Sequence, residues 1–284
     1  MNKYYLDYLK LKNYSQNTIQ NYLKYTNEAL NYINKAESEI TYADVLQWIN
    51  TFNNLAINTQ NIRISALRNY FNFLLENNEI QENPLKQIKR KKIHEGEYKE
   101  KPFIDPHYLR DMINVTNNKK EKAIILLYAT TGLRVSELIN ITLKDYLNMK
   151  GEEGRELEII GKGSKKRFVY VNNETKEAID NYLNSKERKD HTSEFLFISR
   201  QGNKIAINNL NGTIKKIAKK AKIPFWKNMS NHCLRAAFAT SKNIQGISLP
   251  VIQKAMGHVN LSTTLLYIKS NQAQVNNSMR TMAF

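Results

Sequence analysis

The chain has 284 residues, 41% of them hydrophobic, with 43 basic against 26 acidic side chains and a formal charge of +17. Its length suits two ordinary domains, its single cysteine (Cys233) excludes an internal disulfide and any cysteine-based zinc cluster, and no apolar run is long enough to span a bilayer. Through Lys86 the eight basic and eight acidic residues cancel, so the excess charge begins at the "KRKK" run, Lys89 to Lys92.

In chain order, residues 1–86 are predicted to be all-helical. "YYLDYLKLKN" carries apolar residues at helical spacing. Ser15 is placed to cap a second helix on which Ile19, Tyr22, Leu23, Tyr25 and Leu30 recur on one side. Thr41 and Asp44 form a capping box for "TYADVLQWINTF". A fourth helix, rich in Ile62, Ile64, Leu67, Tyr70, Phe71, Phe73 and Leu74, ends before Pro84 because the residue preceding proline is driven out of helical conformation. The expectation is a small four-helix bundle.

Residues 87–103, charged and without apolar periodicity, have the composition of a linker. They are expected either to lie along a nucleic-acid backbone or to form a solvated tether. A basic surplus attracts a polyanion, nucleic acid first, although solubility or a lysine-rich coding bias gives the same composition.

The second domain, 104–284, opens with Asp105 as cap and Pro106 at the first helical position. "KKEKAIILLYATTG" follows as a helix stopped by Gly132, and "RVSELINITLKDY" continues helically before it turns. "RELEIIGK" and "KKRFVYV" alternate like two antiparallel strands about Gly163-Ser164. After the helix "NETKEAIDNYLNS", a short strand "EFLFIS" is expected, then helices in "INNLNGTIKKIAKKAKI", "SNHCLRAAFATSKNIQG" and "SLPVIQKAMG", a further helix bearing Tyr267, and a C-terminal tail. The fold class is therefore mainly α with a small antiparallel β element.

Two stretches place arginine among polar groups in otherwise apolar sequence. Arg134 follows the glycine that ends a helix, with Glu137 three positions on, and His232 precedes Arg235 by the same interval. One such arginine reads as a structural ion pair or a surface charge; two in one domain point to an anion. Guanidinium groups bind phosphate oxygens bidentately and keep their charge, and phosphoryl transfer asks the protein mostly to position groups and neutralise oxygens. Metal-ligand spacings and a phosphate-binding lysine loop are not evident, so no metal and no cofactor is expected. Lys162, in the hairpin, is either a general acid or a surface phosphate contact. Tyr267 is either a nucleophile, which needs cationic neighbours because a phenol is protonated at neutral pH, or an aromatic packed on Leu265 or Ile268.

The ordered blocks "TGLRVSEL", "GKGSKKR", "HCLRAAFAT" and "MGHVNLSTTLLY" closely resemble the tyrosine site-specific recombinases of the phage-integrase type, and the likeness covers nearly the whole chain. It implies a helical core-type DNA-binding domain (1–86), a basic linker (87–103) and a catalytic domain with a C-terminal docking tail (104–284). By the same resemblance Arg134 and Arg235 clamp the scissile phosphate, Lys162 protonates the departing 5′ oxygen, and His232 assists proton transfer or phosphate binding. His258 hydrogen-bonds the phosphate, Glu137 orients its neighbours, and Tyr267 attacks to leave a 3′-phosphotyrosyl enzyme. Lys89, Arg90, Lys91, Lys92, Lys165, Lys166 and Arg167 are set as DNA-facing charges. One departure is Ala236, where many relatives carry histidine.

The layout resembles the two-domain Xer type. It implies double-stranded DNA as partner and four protomers joined through the tail "NQAQVNNSMRTMAF"; whether an accessory protein sets directionality stays open, and a cytoplasmic, nucleoid-associated setting is expected. Besides a structural helical protein with adventitious charge, two alternatives stay open. One is relaxation of supercoils in the manner of type IB topoisomerases, and the other is a DNA-binding protein without activity.

Overall fold

In a computed structural model the chain divides into two units, Met1–Lys99 and Glu100–Phe284; the described residues are 2–91, 105–161 and 166–257. Among its described residues the first unit holds four α-helices: α1 (Tyr5–Leu11), α2 (Gln16–Ile33), α3 (Tyr42–Asn50) and α4 (Ile57–Glu76). Ser15 Oγ accepts the Thr18 N–H at 3.3 Å, and Thr41 and Asp44 close a reciprocal capping box on α3. Leu67, Tyr70, Phe71 and Leu74 of α4 are fully buried and pack with Tyr5, Leu9, Val45 and Trp48. Ile62, another of the apolar residues of α4, is 44% exposed.

Residues 88–91, which the sequence alone assigns to the connecting segment, lie back along α4. Arg68 donates to the Ile88 carbonyl, Arg90 Nη2 donates to Ser65 Oγ at 3.0 Å, and Asn61 exchanges hydrogen bonds of 2.9 and 3.0 Å with the Lys91 carbonyl and N–H.

The second unit is built around α6 (Lys119–Thr131), which follows α5 (Pro106–Asn114). Ala123 through Tyr128 are buried in succession, the pattern of a helix covered on all sides. Short helices α7 (Val135–Leu138) and α8 (Leu143–Leu147) come next, then β1 (Glu156–Ile160) and β2 (Lys166–Tyr170), paired antiparallel from Glu156–Tyr170 to Ile160–Lys166. The chain continues through α9 (Asn173–Leu183), α10 (Lys186–Lys189), α11 (Ile207–Lys220), α12 (Asn231–Ile244) and α13 (Leu249–Met256). Helices α9 and α12 pack against α6.

Two expectations are corrected. "RVSELINITLKDY" is not one helix: Thr142 Oγ1 accepts the Asp145 N–H while Asp145 accepts the Thr142 N–H, and this box starts α8 anew. "EFLFIS" is not a strand. Leu196, Phe197 and Ile198 are buried in succession, without the alternation of a strand, and the backbone pairs only at isolated bridges between Phe195 and Thr142 and between Ile198 and Lys204. No helix among the described residues is long and apolar enough to cross a membrane.

Gly132 ends α6 at φ 61°, and a Cβ there would overlap the Phe238 ring of α12. Gly132→Ala should therefore lower stability by roughly 1–3 kcal/mol from backbone strain, with the steric overlap adding to it. Thermal unfolding checks this, and an unchanged midpoint would contradict it.

Candidate active site

The site begins where α6 stops. After Gly132, Leu133 turns into the core and Arg134 leads into α7 with φ −75° and ψ 151°. The first amides of a helix lack internal partners. Glu137 supplies one, its Oε2 accepting the Arg134 N–H at 2.7 Å while its Oε1 accepts from Arg134 Nη1 at 2.8 Å.

A second arginine reaches the same carboxylate from β2. Strand alternation puts Arg167 on the face that carries buried Val169, opposite Ile159. Arg167 donates Nη1 to Oε1 at 2.7 Å and Nη2 to Oε2 at 2.8 Å, a two-pronged pair, and its Nε donates to the Ala255 carbonyl at 3.1 Å.

The third arginine comes from α12. Arg235 donates to the Gly132 carbonyl at the end of α6 and to the Met256 carbonyl at 2.7 Å, and its Nη1 lies 4.0 Å from Glu137 Oε2. Arg134 Nη2 donates to the Gly257 carbonyl at 2.7 Å. Three successive carbonyls at the end of α13, those of Ala255, Met256 and Gly257, are thus held by Arg167, Arg235 and Arg134. The last carbonyls of a helix have no internal donors, and its negative end favours cations.

Three guanidiniums share one carboxylate, leaving a surplus of two positive charges. Burial alone would raise the Glu137 carboxyl; the Arg167 hydrogen bonds, the Arg134 N–H and the neighbouring guanidiniums outweigh it and hold its pKa at about 2. Glu137 is therefore ionised at neutral pH. The Arg134 side chain is 31% exposed, while those of Arg235 and Glu137 are 2% exposed. Of Arg134 and Arg235, Arg134 is accordingly the one that solvent reaches. Tyr128 on α6 is a phenol near these charges, but burial pushes its pKa up and its hydroxyl donates to Asn231 Oδ1 at 2.8 Å. It is a structural donor and a poor nucleophile.

Of the residues singled out in the sequence, Arg134, Glu137 and Arg235 come together here. His232 lies one turn before Arg235 on α12 and is exposed. Lys162, His258 and Tyr267, with Lys92 and Lys165, lie outside the described residues. His258 is bonded to Gly257, whose carbonyl accepts from Arg134. Among the residues set as DNA-facing, Lys89, Arg90 and Lys91 are exposed, and Lys166 pairs with Glu158 at 2.6 Å on the surface. Arg167 differs from them: its side chain is 13% exposed and is engaged with Glu137 and Ala255. Its internal role was available from strand alternation, which sets it with Val169 and apart from Lys166 and Phe168.

Fold and site together define a helical protein that gathers arginines from a helix start, a strand and a second helix around one carboxylate. Residues 102–274 match the model of the phage integrase family, and residues 2–78 match the family's N-terminal SAM-like domain. The chain belongs to the phage integrase family, the tyrosine recombinases. It is similar to tyrosine recombinase XerA of Pyrococcus horikoshii, at 31% identity over 92% of this chain and 86% of that protein. It is also similar to TnP I resolvase of Bacillus thuringiensis, at 27% identity over 98% of each. In fold it resembles the crystal structure of a lambda integrase dimer bound to a COC′ core site, with a TM-score of 0.73 at 15% identity over 94% of each chain.

Proposed function

We propose that this chain is a site-specific DNA recombinase that cuts and rejoins double-stranded DNA through a tyrosyl ester and a Holliday junction. The observation that carries the reading is the convergence of Arg134, Arg167 and Arg235 on Glu137 with a surplus of two positive charges. A phosphodiester carries one negative charge, and its five-coordinate transition state carries more, so a fixed cationic cluster stabilises the second over the first.

In this reading the Tyr267 hydroxyl gives up its proton, with His232 as the acceptor, as its oxygen attacks phosphorus; the bond to the 5′ oxygen breaks, and Lys162 gives that oxygen a proton. Arg134 and Arg235 hold the non-bridging oxygens, His258 adds a hydrogen bond, and His232 assists proton transfer. Attack by the 5′ hydroxyl of a partner strand then reverses the chemistry. One ester replaces another at each step, so neither ATP nor a metal is called for. Exposed Lys89, Arg90, Lys91 and Lys166, with Lys92 and Lys165, would contact phosphates. The lambda integrase dimer bound to a core site, which this chain resembles in fold, supports DNA as the partner. A tetramer joined through the C-terminal tail, an accessory protein and a cytoplasmic, nucleoid-associated setting complete the proposal.

The test incubates the chain with duplexes from the DNA flanking its gene, nicked near the candidate site so that cleavage is trapped. The expected product is a protease-sensitive adduct on a 3′ end whose linked peptide contains Tyr267, together with joining of two cognate duplexes. Adducts without joining would favour a topoisomerase, and no adduct on any duplex would leave a DNA-binding protein only.

A further inference from the structure

We propose that Arg167 is a positioning residue of the cleavage site: it locks Glu137 and the last turn of α13 into one arrangement and thereby sets the direction of Arg134. The inference rests on the reading above, in which Arg134 and Arg235 hold the scissile phosphate.

The geometry runs through shared atoms. Glu137 Oε1 accepts from both Arg167 Nη1, at 2.7 Å, and Arg134 Nη1, at 2.8 Å. Oε2 accepts from both Arg167 Nη2, at 2.8 Å, and the Arg134 backbone N–H, at 2.7 Å. Each oxygen that places Arg134 is therefore itself placed by Arg167. The third contact, from Nε to the Ala255 carbonyl, holds the turn whose next two carbonyls seat Arg235 and Arg134. Gly257 permits the approach, since a Cβ there would stand 3.1 Å from Arg167 Nη1. Arg167 thus ties together β2, α7 and α13, which supply or adjoin the candidate groups Lys162, Arg134 and His258. A lysine at this position has no planar fork and cannot make the two-pronged contact and the carbonyl contact together.

Three roles for Arg167 predict different results. As a DNA contact, its loss would weaken binding and flatten the salt dependence by about one charge. As a purely structural residue, its loss would lower the melting temperature but leave the rate and pH profile of the folded enzyme unchanged at saturating DNA. As a positioning residue, its loss leaves affinity in place and slows cleavage. It also shifts the pH profile, because among the described residues Glu137 then keeps Arg134 at the start of α7 and Arg235 of α12 as cationic neighbours, with Tyr128 of α6 facing the same cluster. Its carboxyl then titrates at a higher pH.

The experiment measures adduct formation in a single turnover at saturating nicked duplex, from about pH 3 to pH 8, so that the window reaches into the range between the folded and ordinary Glu137 values, beside DNA affinity at several salt concentrations. Wild type, Arg167→Gln and Arg167→Lys are compared. Arg167→Gln should bind DNA as wild type does, with the same salt slope, yet cleave about 10²-fold more slowly, the cost of a misplaced group. Its acidic limb should lie at higher pH, and Arg167→Lys should recover part of the rate and move the limb back. Should Arg167→Gln not fold, Arg167→Lys decides the matter alone, with a slower rate and a displaced limb expected. A wild-type rate and limb in a folded variant, or a defect confined to affinity and salt slope, overturns the inference. Absence of adduct with the wild type removes the reading beneath it and this inference with it, which distinguishes the two failures.

Discussion

Arg235→Ala should lower the rate of covalent adduct formation by about 10³-fold, the scale of removing a preorganised donor or arginine from an oxyanion or phosphoryl site. The side chain is 2% exposed and grips two main-chain oxygens, those of Gly132 and Met256. Truncation leaves both buried acceptors without this donor, at a cost of about 1–3 kcal/mol each where water does not replace it. The variant is therefore expected to melt lower as well as to cleave slowly. The two effects separate in a single-turnover assay on folded protein below its melting transition, where only the catalytic loss persists. Arg235→Lys keeps the charge but not the fork, and should fall between wild type and alanine in both measurements. An Arg235→Ala enzyme that forms adduct at the wild-type rate would remove this residue from the phosphate clamp.

Glu137→Ala should be the most destabilising single change at the site. It leaves three guanidiniums facing one another without their shared carboxylate. Removing one partner of a buried ionic cluster costs about 3–5 kcal/mol, read as a fall in the denaturant midpoint. Glu137→Gln, which keeps the shape and can still accept hydrogen bonds, should lose less. The same residue predicts an acid limb of stability. Its carboxyl titrates at about 2 in the folded chain against an ordinary 4.5. A lowered folded pKa contributes stability that is fully present above 4.5 and is lost as pH falls toward about 2. Denaturant midpoints across that window should fall more steeply for wild type than for Glu137→Gln. Parallel curves would contradict the assignment.

Much of the fold was legible because helix boundaries are local. Ser15, the Thr41–Asp44 pair, Asp105 with Pro106, and Gly132 each act within a turn of where they stand, and each shapes the end it marks. The failures are non-local. The apolar run "EFLFIS" has strand composition, but its backbone forms isolated bridges to Thr142 and Lys204 rather than a continuous ladder. The docking of residues 88–91 depends on Arg68, Ser65 and Asn61, some twenty to thirty positions earlier. At the site, Arg134, Glu137 and Arg235 stood out as charges in apolar surroundings. Arg167 was hidden among neighbouring lysines, although the two-residue period of its strand separates it from them. The carbonyls of Ala255, Met256 and Gly257 carry no side-chain signature, so no motif could announce them.

Gly132 and Gly257 each close a helix in the left-handed conformation, and each lends its own main-chain oxygen to one of the two arginines proposed to clamp the phosphate. Every residue type carries a main-chain oxygen. The anchorage of those arginines is therefore indifferent to side-chain drift along α6 and α13, so long as each helix stops at the same place. Length is the vulnerable quantity. One residue added to or removed from either helix would turn its end by about 100° and carry the oxygen away from the arginine.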